Sequence, residues 1–231
     1  MMAKPTIVLV HGFWGGAAHW AKVIVQLSKM GYDAVSAVEN PLTTLADDAA
    51  RTRKMVAQQK GPVLLVGHSY GGAVITEAGD GSNVVGLVYI AAFAPDVGET
   101  LGEIGNAFPP PPGIGNLAPD SDGYVWIRRD KFRESFCQDL SADEALVMAV
   151  TQKAPLGGLF GNEVTTAAWK SKPSWYQVSS EDRMIAPANE ERMARRLGAK
   201  KIVTLASSHA SLASMPNEVC ALIDEAAKAT S

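Results

Sequence analysis

The chain has 231 residues, of which 47% are apolar and 19% charged, and a net charge of −3. This is the balance of an ordinary globular protein, long enough for one sizeable core, and it gives no electrostatic reason to expect nucleic acid or an anionic membrane surface as a partner. The N-terminus lacks the pattern of a signal peptide and no apolar run approaches the length of a membrane span, so we expect a cytoplasmic protein.

Short β-branched runs alternate with amphipathic segments in the first part of the chain, a pattern that predicts βαβ units and a parallel sheet. Four strands are predicted there, at Thr6–Val10, Asp33–Val38, Val63–Val66 and Val84–Ala92. The helices predicted between them are Ala17–Met30, Thr44–Gln59 and a third that contains Ala73–Ala78.

The alternation stops near Asp96 and resumes after about residue 172. A Gly/Pro-rich stretch and one or two helices within Lys131–Thr151 occupy this interval, which is typical of a lid or cap insertion. Strands are predicted again at Trp175–Ser179 and Lys201–Leu205, with helices at Asn189–Leu197 and Pro216–Lys228. The sequence therefore predicts a single α/β domain with six mostly parallel strands, helices on both faces and a cap insertion at about 97–172.

A G-x-S-x-G motif follows the third strand and precedes a helix, at Gly67-His68-Ser69-Tyr70-Gly71. This context predicts a nucleophile elbow, a strained turn that presents the Ser69 hydroxyl at the carboxyl end of the sheet. Chain segments pass so close to such a turn that glycine at positions 67 and 71 is a steric need.

A serine hydroxyl needs a base to become a nucleophile, and the chain offers four histidines. His209 follows the last strand and comes after the serine in the chain order Ser, acid, His expected of such an elbow. We therefore predict His209 as the general base. His11, His19 and His68 are interpreted as structural.

The acid that orients the base is expected after the fifth strand, where Glu181 and Asp182 stand side by side. Asp182 is preferred, because with Arg183 and Pro187 it matches the usual acid turn. Glu181 and, more remotely, Asp96 remain alternatives.

The loop after the first strand is in the position of an oxyanion loop. Its predicted donors are the main-chain N–H groups of Phe13 and of Tyr70, the residue after the nucleophile. Gly12 allows this loop to approach closely.

With these motifs the sequence resembles the α/β-hydrolase superfamily over essentially its full length. Within it the chain is similar to the small plant-type group of methyl-ester esterases and hydroxynitrile lyases and to their bacterial esterase relatives, most specifically in the stretch Tyr89–Asp96. The lyases carry a threonine after the strand-one histidine and a lysine after the catalytic histidine. This chain has Gly12 and Ala210 there, so the resemblance favours hydrolysis.

The expected protein is thus a serine esterase that forms an acyl-enzyme on Ser69, needs no metal or cofactor, and acts on a small hydrophobic ester. Its substrate-binding residues are predicted to be Gly12, Trp14, Phe93, Trp126 and Trp169. A hydroxynitrile lyase and a ligand-sensing homologue without turnover are the alternatives. No nucleic acid or membrane partner is expected, and a homodimer is left open.

Overall fold

The computed structural model describes residues 4–231. Its main sheet has six parallel strands in the spatial order β2-β1-β3-β4-β7-β8. The strands are β1 (Thr6–Val10), β2 (Val35–Val38), β3 (Val63–His68), β4 (Val84–Ile90), β7 (Ser174–Ser179) and β8 (Ile202–Leu205). All six predicted strands are present, and the predicted fold class is confirmed.

The central strands are apolar on both faces because helices cover them. Every residue of β3 is buried, and so is every residue of β1 after Thr6. Such continuous apolar runs are typical of parallel strands inside an α/β sheet. The helix Ala21–Lys29 packs with Pro216–Ala229, Leu45–Ala57 packs with Tyr70–Ala78, and Pro187–Arg196 packs on β7.

The nine α-helices of the described residues are α1 (Ala21–Lys29), α2 (Leu45–Ala57), α3 (Tyr70–Ala78), α4 (Leu101–Gly105), α5 (Phe132–Phe136), α6 (Ala142–Thr151), α7 (Pro187–Arg196), α8 (Ser211–Ser214) and α9 (Pro216–Ala229). Their boundaries follow local chemistry. The Thr44 hydroxyl accepts a hydrogen bond from the Asp47 N–H at the start of α2, and Ser141 and Glu144 form a capping box on α6. Within residues 4–231, no helix combines the length and the apolar character needed to cross a membrane.

The segment between β4 and β7, residues 91–173, is irregular but structured. It contains α4, α5, α6 and an antiparallel hairpin of β5 (Leu117–Pro119) and β6 (Val125–Ile127). The sequence predicts neither this hairpin nor α4, because runs of three to five residues among prolines and glycines carry no clear periodicity. Strand β4 also ends earlier than predicted, since Ala91 turns the chain with a φ of +43°.

Candidate active site

Ser69 is the single residue between the end of β3 and the start of α3. Its backbone angles, φ 55° and ψ −125°, lie in a region that non-glycine residues rarely adopt. Three main-chain hydrogen bonds hold it there: the Ser69 N–H donates to the Ile90 carbonyl, and the Ser69 carbonyl accepts from the N–H groups of Gly72 and Phe93. The strained elbow predicted from the motif is therefore present.

The glycines around the elbow have no room for a side chain. A Cβ on Gly67 would lie 2.5 Å from the Gly71 carbonyl oxygen, and one on Gly71 would lie 2.2 Å from the carbonyl oxygen of Val10. A Cβ on Gly12 would lie 2.5 Å from the Ser69 Cβ and 3.0 Å from its hydroxyl oxygen. The first and third strands can therefore bring their loops together only with glycine at these positions.

His209 and Asp182 form a buried pair in which Nδ1 of the imidazole is 2.5 Å from Oδ2 of the carboxylate. Oδ1 of Asp182 accepts from the main-chain N–H groups of Met184 at 2.6 Å and Ile185 at 2.9 Å, which fixes the carboxylate within its own turn. Because a carboxylate only accepts, Nδ1 carries the proton and Nε2 is left as an acceptor. This is the tautomer that a general base requires.

The predicted base, His209, contacts His68, the residue before Ser69. The His68 ring is next to Ser69 in the chain, and its centroid is 4.8 Å from that of His209. The His68 Nε2–H donates to the His209 carbonyl at 2.8 Å, which anchors the base. Nε2 of His209 is buried and meets no hydrogen-bond partner in residues 4–231, the Ser69 hydroxyl included. The structure thus joins the predicted base and acid directly, and it places the predicted base against His68, the residue before Ser69, without a hydrogen bond between His209 and Ser69.

The other histidines have structural surroundings. Nε2 of His11 accepts from the Asn40 N–H and its Nδ1–H donates to the Gly12 carbonyl, so its ring braces the loop after β1. Burial lowers the pKa of His11. Burial lowers the pKa of His68 well below its ordinary value and, aided by neighbouring histidines, that of His19 to about 4. All three rings are therefore neutral at pH 7.

The two alternative acids lie away from the base. The Glu181 side chain is exposed although the residue adjoins Asp182, and Asp96 pairs with Lys170 on the β4–β7 segment. Among the contacts of residues 4–231, only Asp182 bonds to the imidazole of His209.

The N–H groups of Phe13 and Tyr70 have no acceptor among the described residues, as oxyanion donors require. The side chains of these two residues stack, with ring centroids 4.1 Å apart. The Tyr70 hydroxyl donates to the buried Asp48 at 2.6 Å, and Asp48 also accepts from the Leu42 N–H at 2.9 Å. Asp48 was not predicted as part of the site, since in sequence it is one more acid in the first turn of a helix.

Residues 7–222 match the model of the alpha/beta hydrolase family. The chain belongs to this family. The alpha/beta hydrolase nvfD of Aspergillus novofumigatus is 30% identical over 249 residues, which cover 98% of each chain. The putative methylesterase 19 of Arabidopsis thaliana is 25% identical over 267 residues, again 98% of each chain. The predicted similarity to plant methylesterases is confirmed by this relative.

Two solved structures show the same fold. A polyneuridine aldehyde esterase aligns with a TM-score of 0.82 and 19% identity, over 96% of this chain and 99% of that one. A pyrethroid hydrolase aligns with a TM-score of 0.81 and 22% identity, over 98% of both chains.

This α/β hydrolase has a mostly apolar cavity of about 350 Å³ whose lining includes Phe93 but neither Ser69 nor His209. Phe93, which donates its N–H to the Ser69 carbonyl, is one of its lining residues. Phe160 also lines it, and its ring centroid is 5.1 Å from that of Phe13 in the oxyanion loop. Most of the other lining residues come from the β4–β7 segment, and the side chains of Asn106 and Asn189 add amide groups.

The three predicted tryptophans are not among the residues that line this cavity. Trp14 is buried and donates its indole N–H to the Val125 carbonyl at 2.8 Å. Trp126 is 38% exposed on the β5–β6 hairpin and donates to Asp120. The indole of Trp169 donates to the Pro95 carbonyl at 2.8 Å. Each indole serves to hold a loop in place.

Proposed function

We propose that this α/β hydrolase is a serine carboxylesterase that hydrolyses a small hydrophobic ester through an acyl-enzyme on Ser69. The observation that carries the proposal is the buried Asp182–His209 pair beside a serine held in an elbow conformation. The hydrolase and esterase relatives support the same class of reaction.

In acylation, Nε2 of His209 takes the proton of the Ser69 hydroxyl as its oxygen attacks the ester carbonyl. The oxyanion that forms is stabilised by the N–H groups of Phe13 and Tyr70. The imidazolium is stabilised by Asp182. When the tetrahedral intermediate collapses, His209 gives its proton to the leaving alcohol and Ser69 keeps the acyl group.

In deacylation, water takes the place of the alcohol. His209 removes a proton from the water as its oxygen attacks the acyl carbonyl, and the same two N–H groups stabilise the second oxyanion. Ser69 leaves with the proton returned from His209, and the carboxylic acid is released. The missing Ser69–His209 hydrogen bond is compatible with this scheme, because catalytic hydrogen bonds often tighten only when substrate binds.

The cavity lined by Phe93, which bonds to the Ser69 carbonyl, supports the substrate class. Its volume of about 350 Å³ is at the small end of the range for ligand sites, and its walls are mostly apolar. We therefore infer that a compact hydrophobic acyl or alcohol group enters it, with the ester carbonyl held at the elbow.

The test is a panel of short and aromatic chromogenic esters, combined with a fluorophosphonate label that is mapped by peptide mass. We expect steady turnover and labelling of Ser69, both lost in Ser69→Ala, while the matched variant Ser82→Ala at an exposed turn retains both. Labelling at another serine would refute the proposal. A burst without turnover would indicate the ligand-sensing alternative, and release of an aldehyde from a cyanohydrin without ester turnover would indicate the lyase.

A further inference from the structure

We propose that Glu190 is a protonated carboxylic acid at pH 7 that donates a hydrogen bond to Asp182, and that it is a positioning residue of the triad. The catalytic part of this inference rests on the proposed function, in which Asp182 orients His209. The protonation of Glu190 rests on the structure alone.

Glu190 lies in the first turn of α7 and is completely buried. Its Oε2 accepts from the Ser179 N–H at 3.0 Å. Its Oε1 is buried and meets no donor among residues 4–231, where no lysine or arginine pairs with Glu190 either. Ser179 links the two acids, because its carbonyl accepts from the Asp182 N–H at 3.2 Å while its own N–H donates to Glu190, and the charge of Asp182 acts on Glu190. A buried carboxylate without a cation is energetically costly, so we expect one of these two neighbouring carboxyl groups to be protonated.

The hydrogen bonds around the two carboxyl groups indicate which of them carries the proton. Asp182 accepts from Met184, Ile185 and His209, which are three of the roughly four hydrogen bonds that a carboxylate can accept. Glu190 accepts from Ser179 only. Because donors stabilise the charged form, the charge belongs on Asp182 and the proton on Glu190. The Glu190 O–H then satisfies both the unpartnered oxygen and the remaining acceptor position of Asp182.

The groups that face Glu190 agree with this assignment. Strand β7 contributes the Ser179 N–H and the neutral phenol of Tyr176, the following loop contributes Asp182, and α7 itself contributes Glu191. Burial first, and then the negative charge of Asp182, raise the pKa of Glu190 well above its ordinary value.

The arrangement limits the charge that the imidazole experiences. With Glu190 neutral, one negative charge faces His209, and the Glu190 O–H disperses part of it. If Glu190 were ionised, two buried carboxylates would repel each other and hold the imidazolium too strongly to release its proton.

Three variants separate the hydrogen-bond donor role of Glu190 from its role in packing. Glu190→Gln keeps a neutral donor, Glu190→Leu removes it at similar volume, and Glu191→Gln, on the same helix but partly exposed, is the matched control. We expect the acid limb of the pH profile of kcat/KM to be unchanged in Glu190→Gln. In Glu190→Leu we expect it to move to higher pH by roughly half a unit or more, because Asp182 loses a donor and attracts the imidazolium proton more strongly.

Infrared difference spectra between wild type and each variant measure the protonation directly. We expect a protonated-carboxyl C=O band that Glu190→Gln removes and Glu191→Gln keeps, in the active enzyme and equally in the Ser69→Ala background. If the band is absent, or if Glu190→Gln shifts the acid limb as Glu190→Leu does, the proposal is wrong. If the band is present but Ser69 is not the nucleophile, the proposed function fails while Glu190 remains a protonated acid.

Discussion

Around Ser69 even one extra methyl group is expected to matter. In Gly12→Ala the added carbon would lie 2.5 Å from the Ser69 Cβ and 3.0 Å from its hydroxyl oxygen, so the nucleophile must shift. We expect kcat for a short ester to fall about 100-fold or more, the loss typical when oxyanion geometry is damaged. Gly61→Ala is the control, because a Cβ there meets nothing within 4 Å. Equal activity in the two variants would show that the oxyanion loop is adaptable.

The adjacent acids Glu181 and Asp182 are expected to contribute very differently to kcat. Asp182→Asn presents an amide to Nδ1 of His209 and favours the wrong tautomer, so we expect kcat to fall by about 10⁴ with the fold retained. Glu181→Gln changes an exposed side chain and is expected to leave kcat within twofold of wild type. Ester kinetics with circular dichroism as the fold control measure both. Comparable losses in the two variants would reopen the assignment of the acid.

At the scale of elements, a buried carboxylate joins the β4–β7 segment to α3, the helix that follows Ser69. Glu77 on α3 accepts from the Thr165 N–H at 2.7 Å, the Thr165 hydroxyl at 2.6 Å and the Thr166 N–H at 3.0 Å, and Arg53 lies 3.5 Å away. Burial alone would raise the pKa of Glu77, but these hydrogen bonds and the cation outweigh it and lower the pKa. The folded state therefore favours the ionised form of Glu77.

The hydrogen bonds of Glu77 make the free energy of unfolding depend on pH in a defined way. A carboxyl whose folded pKa is lowered stabilises the protein above its unfolded pKa, here about 4.5, and loses that contribution as pH falls through the folded value. We expect Glu77→Gln to lower the free energy of unfolding at pH 7 by about 1–3 kcal/mol, with the difference shrinking below pH 4.5. Urea unfolding across pH measures it, with the exposed Glu163→Gln as control. A difference that grows on acidification would contradict the assignment.

For the whole molecule, the sequence was informative where one physical requirement acts on consecutive residues. The buried runs of β1 and β3 and the glycines of the elbow are such cases: the predicted bounds of β1 match the structure, and β3 begins where predicted but continues two residues further, to His68. The cavity wall is different, because it is assembled from short pieces of residues 91–173. Trp126 and Trp169 illustrate the limit: both are large aromatics in that segment, yet their indoles bond to Asp120 and Pro95 outside the cavity.

The cavity wall should therefore set substrate size for the molecule as a whole. Ile114 is a partly buried residue of this wall, and Ile114→Trp would fill part of the volume of about 350 Å³ without altering the elbow. We expect kcat/KM to fall about tenfold or more for bulky or aromatic esters and to stay near wild type for the smallest ester, because each lost methylene contact costs about that factor. Val147→Trp, at a 62% exposed position outside the cavity, is the control. If Ile114→Trp lowers kcat/KM equally for all esters, the cavity does not hold the substrate, and the binding site must lie on another side of the Ser69 elbow.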